Sequence, residues 1–228
     1  MKNIADNLAG LRQEIAALAA AYQRDPDSIK ILAVSKRQPV EAIRAMRDGG
    51  QVDFGENYLQ EALDKIATLD DTGLCWHFIG PLQSNKSRAV AEHFDWVHTL
   101  ERAKTARRLN DQRPANRSPL NICIQVNISG ESSKAGISLA QLPDLAAAVT
   151  ELPRLRLRGL LALPAPADDL ESQRQPFAAL HSAFEDLQSQ GLALDTLSMG
   201  TSGDLEAAVA EGATIVRIGT ALFGPRPG

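Results

Sequence analysis

Lys36 closes a short apolar run, Ile31-Leu-Ala-Val-Ser-Lys36. Near the other end of the chain, Leu197-Ser-Met-Gly-Thr-Ser-Gly203 and Val216-Arg-Ile-Gly-Thr220 are rich in hydroxyls and glycines. The first stretch reads as a buried strand that delivers one amine to its end. The other two read as small-residue loops offering hydroxyl and backbone N–H donors. An amine can form a Schiff base with an aldehyde, and such loops can cradle a phosphate. Pyridoxal 5′-phosphate (PLP) carries both groups. Desolvation at a strand end lowers a lysine's pKa, which suits an amine nucleophile. A lysine that merely snorkels to a rim is the plainer alternative, and Lys36 by itself does not exclude it.

The loops add weight. Ser198, Thr201, Ser202 and Thr220 supply hydroxyls, while Gly200, Gly203 and Gly219 let backbone approach an anion closely. Thr201 and Asp204 also have capping-box spacing; Asp204 would repel a phosphate and is expected to turn away and cap backbone. Arg217 ends the last apolar run, where it would reach a pyridine nitrogen. A guanidinium donates a hydrogen bond but keeps its proton, so that nitrogen would stay unprotonated and the cofactor would be a weak electron sink. Asn57 (in Phe54-Gly-Glu-Asn-Tyr58) and His77 (in Trp76-His-Phe-Ile-Gly-Pro-Leu-Gln-Ser-Asn-Lys86) are expected to point toward the same face. Each, taken singly, is more often a satisfied polar residue. The four histidines show no metal-ligand spacing, and Cys75 and His77 are read as facing opposite sides of one strand. No metal is expected.

These residues need a scaffold that gathers them. Eight apolar runs alternate with helical segments: 31–35, 51–54, 74–79, 95–98, 121–126, 156–161, 196–199 and 214–218. The helical segments cover 40–47, 58–68, 84–93, 102–109, 139–151, 172–190 and 204–211. Ile4, Leu8, Leu11, Ile15 and Leu18 form a further amphipathic helix at the start, which Pro26 terminates. Eight strand–helix units predict a parallel sheet closed into a (β/α)8 TIM barrel with an extra N-terminal helix. An open doubly wound sheet would carry glycines after its first strand, where this chain has Lys36-Arg-Gln-Pro39. Active sites of this barrel lie at the C-terminal ends of the strands, with phosphate commonly held after strands seven and eight. Loops 129–136 and 163–169 fall on that face. No linker divides the chain, so residues 1–228 read as one domain.

Composition narrows the functions. Of 228 residues, 44% are hydrophobic and 23% charged, as in an ordinary globular protein. A net charge of −4, scattered basic residues and 4% aromatics argue against a nucleic-acid surface. Cys75 and Cys123 sit in apolar runs and read as buried small hydrophobes of a reducing, cytoplasmic compartment. No signal peptide and no apolar run of membrane-spanning length is evident, so no membrane partner is expected.

Ala33-Val-Ser-Lys36, Phe54–Tyr58, Trp76–Lys86, Ser198-Met-Gly and Val216-Arg-Ile-Gly-Thr-Ala-Leu-Phe-Gly224 together resemble the PLP homeostasis protein family (YggS/PROSC), over nearly the whole chain. The resemblance implies a single alanine-racemase-like barrel of fold type III that holds PLP as an aldimine on Lys36. Phosphate would lie on Ser198, Thr201, Ser202, Gly219 and Thr220, with Arg217 at the pyridine nitrogen and Asn57 near the ring. It also implies a role in buffering or delivering PLP, with apo-enzymes as acceptors and no established reaction. The chain departs from the family's usual pattern at Gln38, where a second basic residue is common, and at Thr201, where methionine is common. Lys134 matches another basic position and is a candidate second PLP site. The competing reading is a PLP-dependent amino-acid racemase, which needs an acid/base group on each face of the α-carbon, one commonly a tyrosine. Tyr22 and Tyr58 are the only tyrosines, neither is placed opposite Lys36, and the chain ends at the barrel, so the carrier reading is expected; no exposed apolar stripe demands a partner, and a monomer is expected.

Overall fold

The computed structural model describes residues 4–69, 73–131 and 134–224. The closing segment after Gly224, and Ser132 and Ser133 of the loop holding Lys134, lie outside them.

Eight strands form one closed parallel barrel in sequence order: β1 (Lys30–Val34), β2 (Asp53–Glu56), β3 (Cys75–Phe78), β4 (Trp96–Leu100), β5 (Leu120–Val126), β6 (Leu155–Ala162), β7 (Thr196–Ser198) and β8 (Ile215–Ile218). Each overlaps one of the apolar runs read from the sequence, β2 beginning two residues later than its run. Closure is made by β1 on β8, where Leu32 pairs with Arg217 and Ala33 with Ile218. Helices α2 (Val40–Asp48), α3 (Leu59–Thr68), α4 (Ser87–His93), α5 (Ala103–Gln112), α6 (Leu142–Thr150), α7 (Leu170–Ser189) and α8 (Leu205–Ala210) cover the outside. The extra helix α1 (Ile4–Ala21) buries Leu8, Leu11 and Ile15, and packs on α2, α8 and a short α9 (Thr220–Phe223) that the sequence pattern did not announce. Arg24 pins its C-terminal end by donating to the carbonyls of Val209 and Ala213, each at 2.8 Å. The seam between the first and last strands is thereby sealed from one side.

The β-branched and aliphatic runs (Ile122, Ile124, Val126; Leu157, Leu160) are buried against the helical layer, as a parallel sheet covered by helices requires. Gly159 allows β6 and β7 to meet: a Cβ there would stand 1.7 Å from the Thr196 carbonyl oxygen. Among the described residues no helix is long and apolar enough to cross a membrane.

Candidate cofactor site

Each strand ends at the same mouth, and the loops that follow bring the sequence-nominated residues together. A cavity of about 440 Å³ is lined there by Lys36, Asn57, Thr201, Ser202, Arg217, Gly219 and Thr220, together with Gln38 and apolar walls from Val34, Ile79, Leu161 and Leu163. Seven of the eight nominated residues share this space. Ser198 is the exception: it is fully buried beneath the cavity, and its hydroxyl meets Arg217 Nη1 at 3.0 Å.

Lys36 is half-buried in a turn that its neighbours hold from both sides. The Lys65 ammonium, reaching back from α3, donates to the Ser35 carbonyl at 2.7 Å, to Glu56 at 2.8 Å and to Glu61 at 2.5 Å. The Arg37 N–H donates to Glu61 at 2.5 Å, and Arg37 takes a left-handed backbone (φ 61°), uncommon for a residue with a side chain. Burial raises the Glu56 carboxyl above its usual range despite Lys65. Neither Lys65 nor Glu61 was singled out in the sequence. Their spacing of four on a helix was visible, but their reach to the β1 loop was not.

Asn57 depends on a close approach. Gly80, after β3, lies so near that a Cβ would sit 2.1 Å from the Asn57 carbonyl oxygen. Arg217 is buried, donating to the Ser198 carbonyl (2.5 Å) and the Ala162 carbonyl (2.9 Å); desolvation lowers its pKa to about 10. Thr201 presents its N–H and hydroxyl to Asp204 Oδ1, at 2.5 and 2.7 Å. Asp204 thus caps backbone, as expected, yet it does so with a residue nominated for phosphate. Gly200 adopts φ 93° and a Cβ there would lie 2.4 Å from that of Ala208, so this turn demands glycine.

Two expectations are corrected. His77 does not face the cavity with Asn57 but lies inside the barrel, fully buried, with Nε2 at 2.9 Å from Asp53 Oδ1. Cys75 and His77 do not face opposite sides: Cys75 Sγ is 3.3 Å from His77 Nε2, because side chains alternate along a strand and residues two apart share a face. Asp53, Cys75 and His77 consequently converge, but the Lys30 ammonium already sits 3.2 Å from the same Asp53 oxygen. Desolvation, and then Asp53, push the Cys75 thiol far above its usual range. Lys134 lies 3.4 Å from Glu131, with its nitrogen buried; it does not line the cavity.

A parallel eight-stranded barrel with a lysine at the end of β1 and small-residue loops after β7 and β8 defines the class. Residues 7–227 match the family described as alanine racemase, N-terminal domain. The chain belongs to that family, and within it to the group of the pyridoxal phosphate homeostasis proteins. It is 57% identical over 229 residues to the protein of that name from Escherichia coli (strain K12), covering 99% of this chain and 98% of the other. It is 56% identical over 226 residues to its namesake from Pseudomonas aeruginosa, covering 99% and 97%. Among solved structures, PipY of Synechococcus elongatus PCC7942 with PLP bound superposes with a TM-score of 0.84 at 38% identity, covering 97% of this chain and 100% of that one. Alanine racemase of Clostridium difficile 630 matches at 17% identity and a TM-score of 0.75, with 58% of its length covered, and shares the fold.

Proposed function

We propose that this chain binds PLP in the cavity at the C-terminal mouth and acts in PLP homeostasis, holding the cofactor on Lys36 and buffering or delivering it to apo-enzymes. The observation that carries the reading is the convergence of Lys36, from the first strand, with Ser202, Gly219 and Thr220, from the last two loops, on one cavity. The residues fit the group. Asn57 Oδ1 is buried without a hydrogen-bond partner among the described residues, an orphaned polar atom on a residue that lines the space a ring would take. Ser202 and Thr220 hydroxyls with the Gly203 and Gly219 backbone suit a phosphate. Arg217 would face the ring nitrogen as a donor that keeps its proton. When bound, the cofactor supplies an electrophilic aldehyde and a weak electron sink.

The chain's own residues favour holding over chemistry. Neither Tyr22 nor Tyr58 lines the cavity, whereas a racemase needs a second proton-transfer group there. The Tyr22 hydroxyl donates to Glu206 at 2.9 Å, and this hydrogen bond, before burial, raises its pKa. Tyr58 is exposed beneath Arg37. A cytoplasmic monomer belongs to the same reading.

The deciding experiment combines trapping with exchange. The PLP-loaded protein is reduced with borohydride and mapped, then incubated in heavy water with D- and L-amino acids and followed by NMR. Label on Lys36, lost in Lys36→Ala while non-covalent affinity persists through the phosphate loops, is the expected result. Lys36-dependent α-proton exchange at catalytic turnover would replace the carrier with an enzyme.

A further inference from the structure

The barrel interior holds a row of polar side chains that runs inward from Arg217, away from the cofactor cavity. From the cavity inward, Arg217 Nη1 is 3.0 Å from Ser198 Oγ, Ser198 Oγ is 2.8 Å from His98 Nδ1, His98 Nε2 is 2.8 Å from His77 Nδ1, and His77 Nε2 is 2.9 Å from Asp53 Oδ1. The row crosses from β8 through β7, β4 and β3 to the first residue of β2. Asp53 and Lys30 there line a second cavity of about 430 Å³, on the opposite side of the barrel from Lys36. A barrel core is ordinarily filled by branched apolar side chains, and buried polar groups are costly unless fully bonded.

Chemistry fixes every proton in the row. A guanidinium only donates, so Ser198 Oγ accepts from Arg217. Burial alone would raise Asp53, but the hydrogen bond from His77 and the nearby Lys30 ammonium outweigh it and hold the carboxyl below its usual range. Asp53 is therefore ionised and only accepts, and His77 Nε2 carries a proton. Desolvation lowers the pKa of His77 and, together with the positive charges of Arg217 and Lys30, takes that of His98 well below the usual value, so both rings are neutral. A neutral imidazole has one N–H. His77 Nδ1 is thus bare and accepts from His98 Nε2–H; His98 Nδ1 is bare and accepts from the Ser198 hydroxyl. The reverse direction would set a bare nitrogen against a carboxylate. Lys30, Cys75 and Asp95 are the other titratable groups near His77, and Trp96 stacks on it at 5.3 Å.

We propose that Ser198, His98, His77 and Asp53 form a one-way hydrogen-bond relay that positions Arg217, connecting the guanidinium at the cofactor cavity to a carboxylate at the far end of the barrel. The other acceptors of Arg217 are the neutral carbonyls of Ser198 and Ala162, and a buried cation among neutral acceptors is poorly compensated. Bonds that all point the same way polarise one another, which makes Ser198 Oγ a stronger acceptor than an isolated hydroxyl. The relay orients the guanidinium and offsets its charge, so that it presents a fixed donor to the ring nitrogen. That last consequence rests on the PLP reading; the direction of the row does not.

Long-range ¹H–¹⁵N NMR on the cofactor-free protein reads the tautomers directly. His77 and His98 are expected to be neutral at pH 7, each with its proton on Nε2; a proton on Nδ1 of either overturns the relay. Two variants then test its reach. Ser198→Ala, next to Arg217, is expected to shift the Arg217 Nη resonances and to weaken PLP binding by about tenfold, the scale of one hydrogen bond to a charged group. Asp53→Asn, four hydrogen bonds away, is expected to shift the same Arg217 resonances in the same direction and by less. A folded Asp53→Asn protein with unchanged Arg217 resonances and unchanged tautomers refutes the proposal, and if that variant does not fold, the wild-type tautomers decide. Failure of the wild type to bind PLP would remove the functional reading, while the spectra of the cofactor-free protein would still judge the relay.

Discussion

Asp204 occupies both donors that Thr201 could offer a phosphate, and its charge stands one hydrogen bond behind a residue that lines the cavity. A carboxylate beside a dianion disfavours binding by about 1 kcal/mol at the effective dielectric of a half-open site. A carrier that must release its cofactor has use for such opposition. Asp204→Asn keeps an oxygen for the Thr201 N–H and removes the charge. It is expected to tighten PLP about fivefold, the equivalent of that energy, and to leave pyridoxal, which lacks the phosphate, unchanged. Fluorescence titrations with both ligands check this. Weaker PLP binding in the variant would mean that Asp204 serves the site by shaping the Thr201 turn instead.

At the scale of elements, the turn that carries Lys36 is held by a helix three elements beyond β1. Lys65 of α3 is buried between Glu56 and Glu61 while it grips the Ser35 carbonyl. Removing the cation leaves two carboxylates facing each other, one of them fully buried, and breaking such a pair costs about 3–5 kcal/mol. Lys65→Met is expected to lose that much in urea unfolding, and Lys65→Met/Glu56→Gln to recover part of it, because the buried charge has gone too. The same network shows where sequence reading stops. All eight strands were legible because strands buried on both faces become apolar runs, and the site residues were legible because they follow those runs toward one mouth. Seven of them line one cavity. Contacts made across elements left no local trace: the grip of Lys65 on Ser35 spans thirty positions, and that of His98 on Ser198 a hundred. Inward-facing polar residues of different strands meet only through the barrel's register, which periodicity within a strand does not contain. The Cys75–His77 pair was legible, since a spacing of two means a shared face, and its misreading was one of rule and not of information.

The whole molecule folds around titratable groups in its centre, and its stability must depend on pH accordingly. An unfolded histidine titrates near 6.5, whereas burial depresses the pKa of His77 and His98 in the folded barrel. Below about pH 6.5 the unfolded chain therefore binds more protons than the folded one, and stability falls as pH falls. The slope approaches about 1.4 kcal/mol per pH unit for each ring that stays neutral. Asp53 acts in the same direction at lower pH: its folded pKa is depressed, so its contribution is present above the unfolded carboxylate range and is lost as pH drops through the folded value. Glu56, raised chiefly by burial, has the opposite sign, since it opposes folding where the unfolded carboxyl is ionised and relaxes on acidification. One raised carboxyl opposes two depressed rings, so the histidines set the trend. Urea unfolding at pH 7.5 and pH 5.0 is expected to show a loss of about 2–4 kcal/mol. A flat profile would mean that the folded barrel accepts protons at its centre, and the row from Asp53 to Arg217 would then lack the fixed direction that makes it a relay.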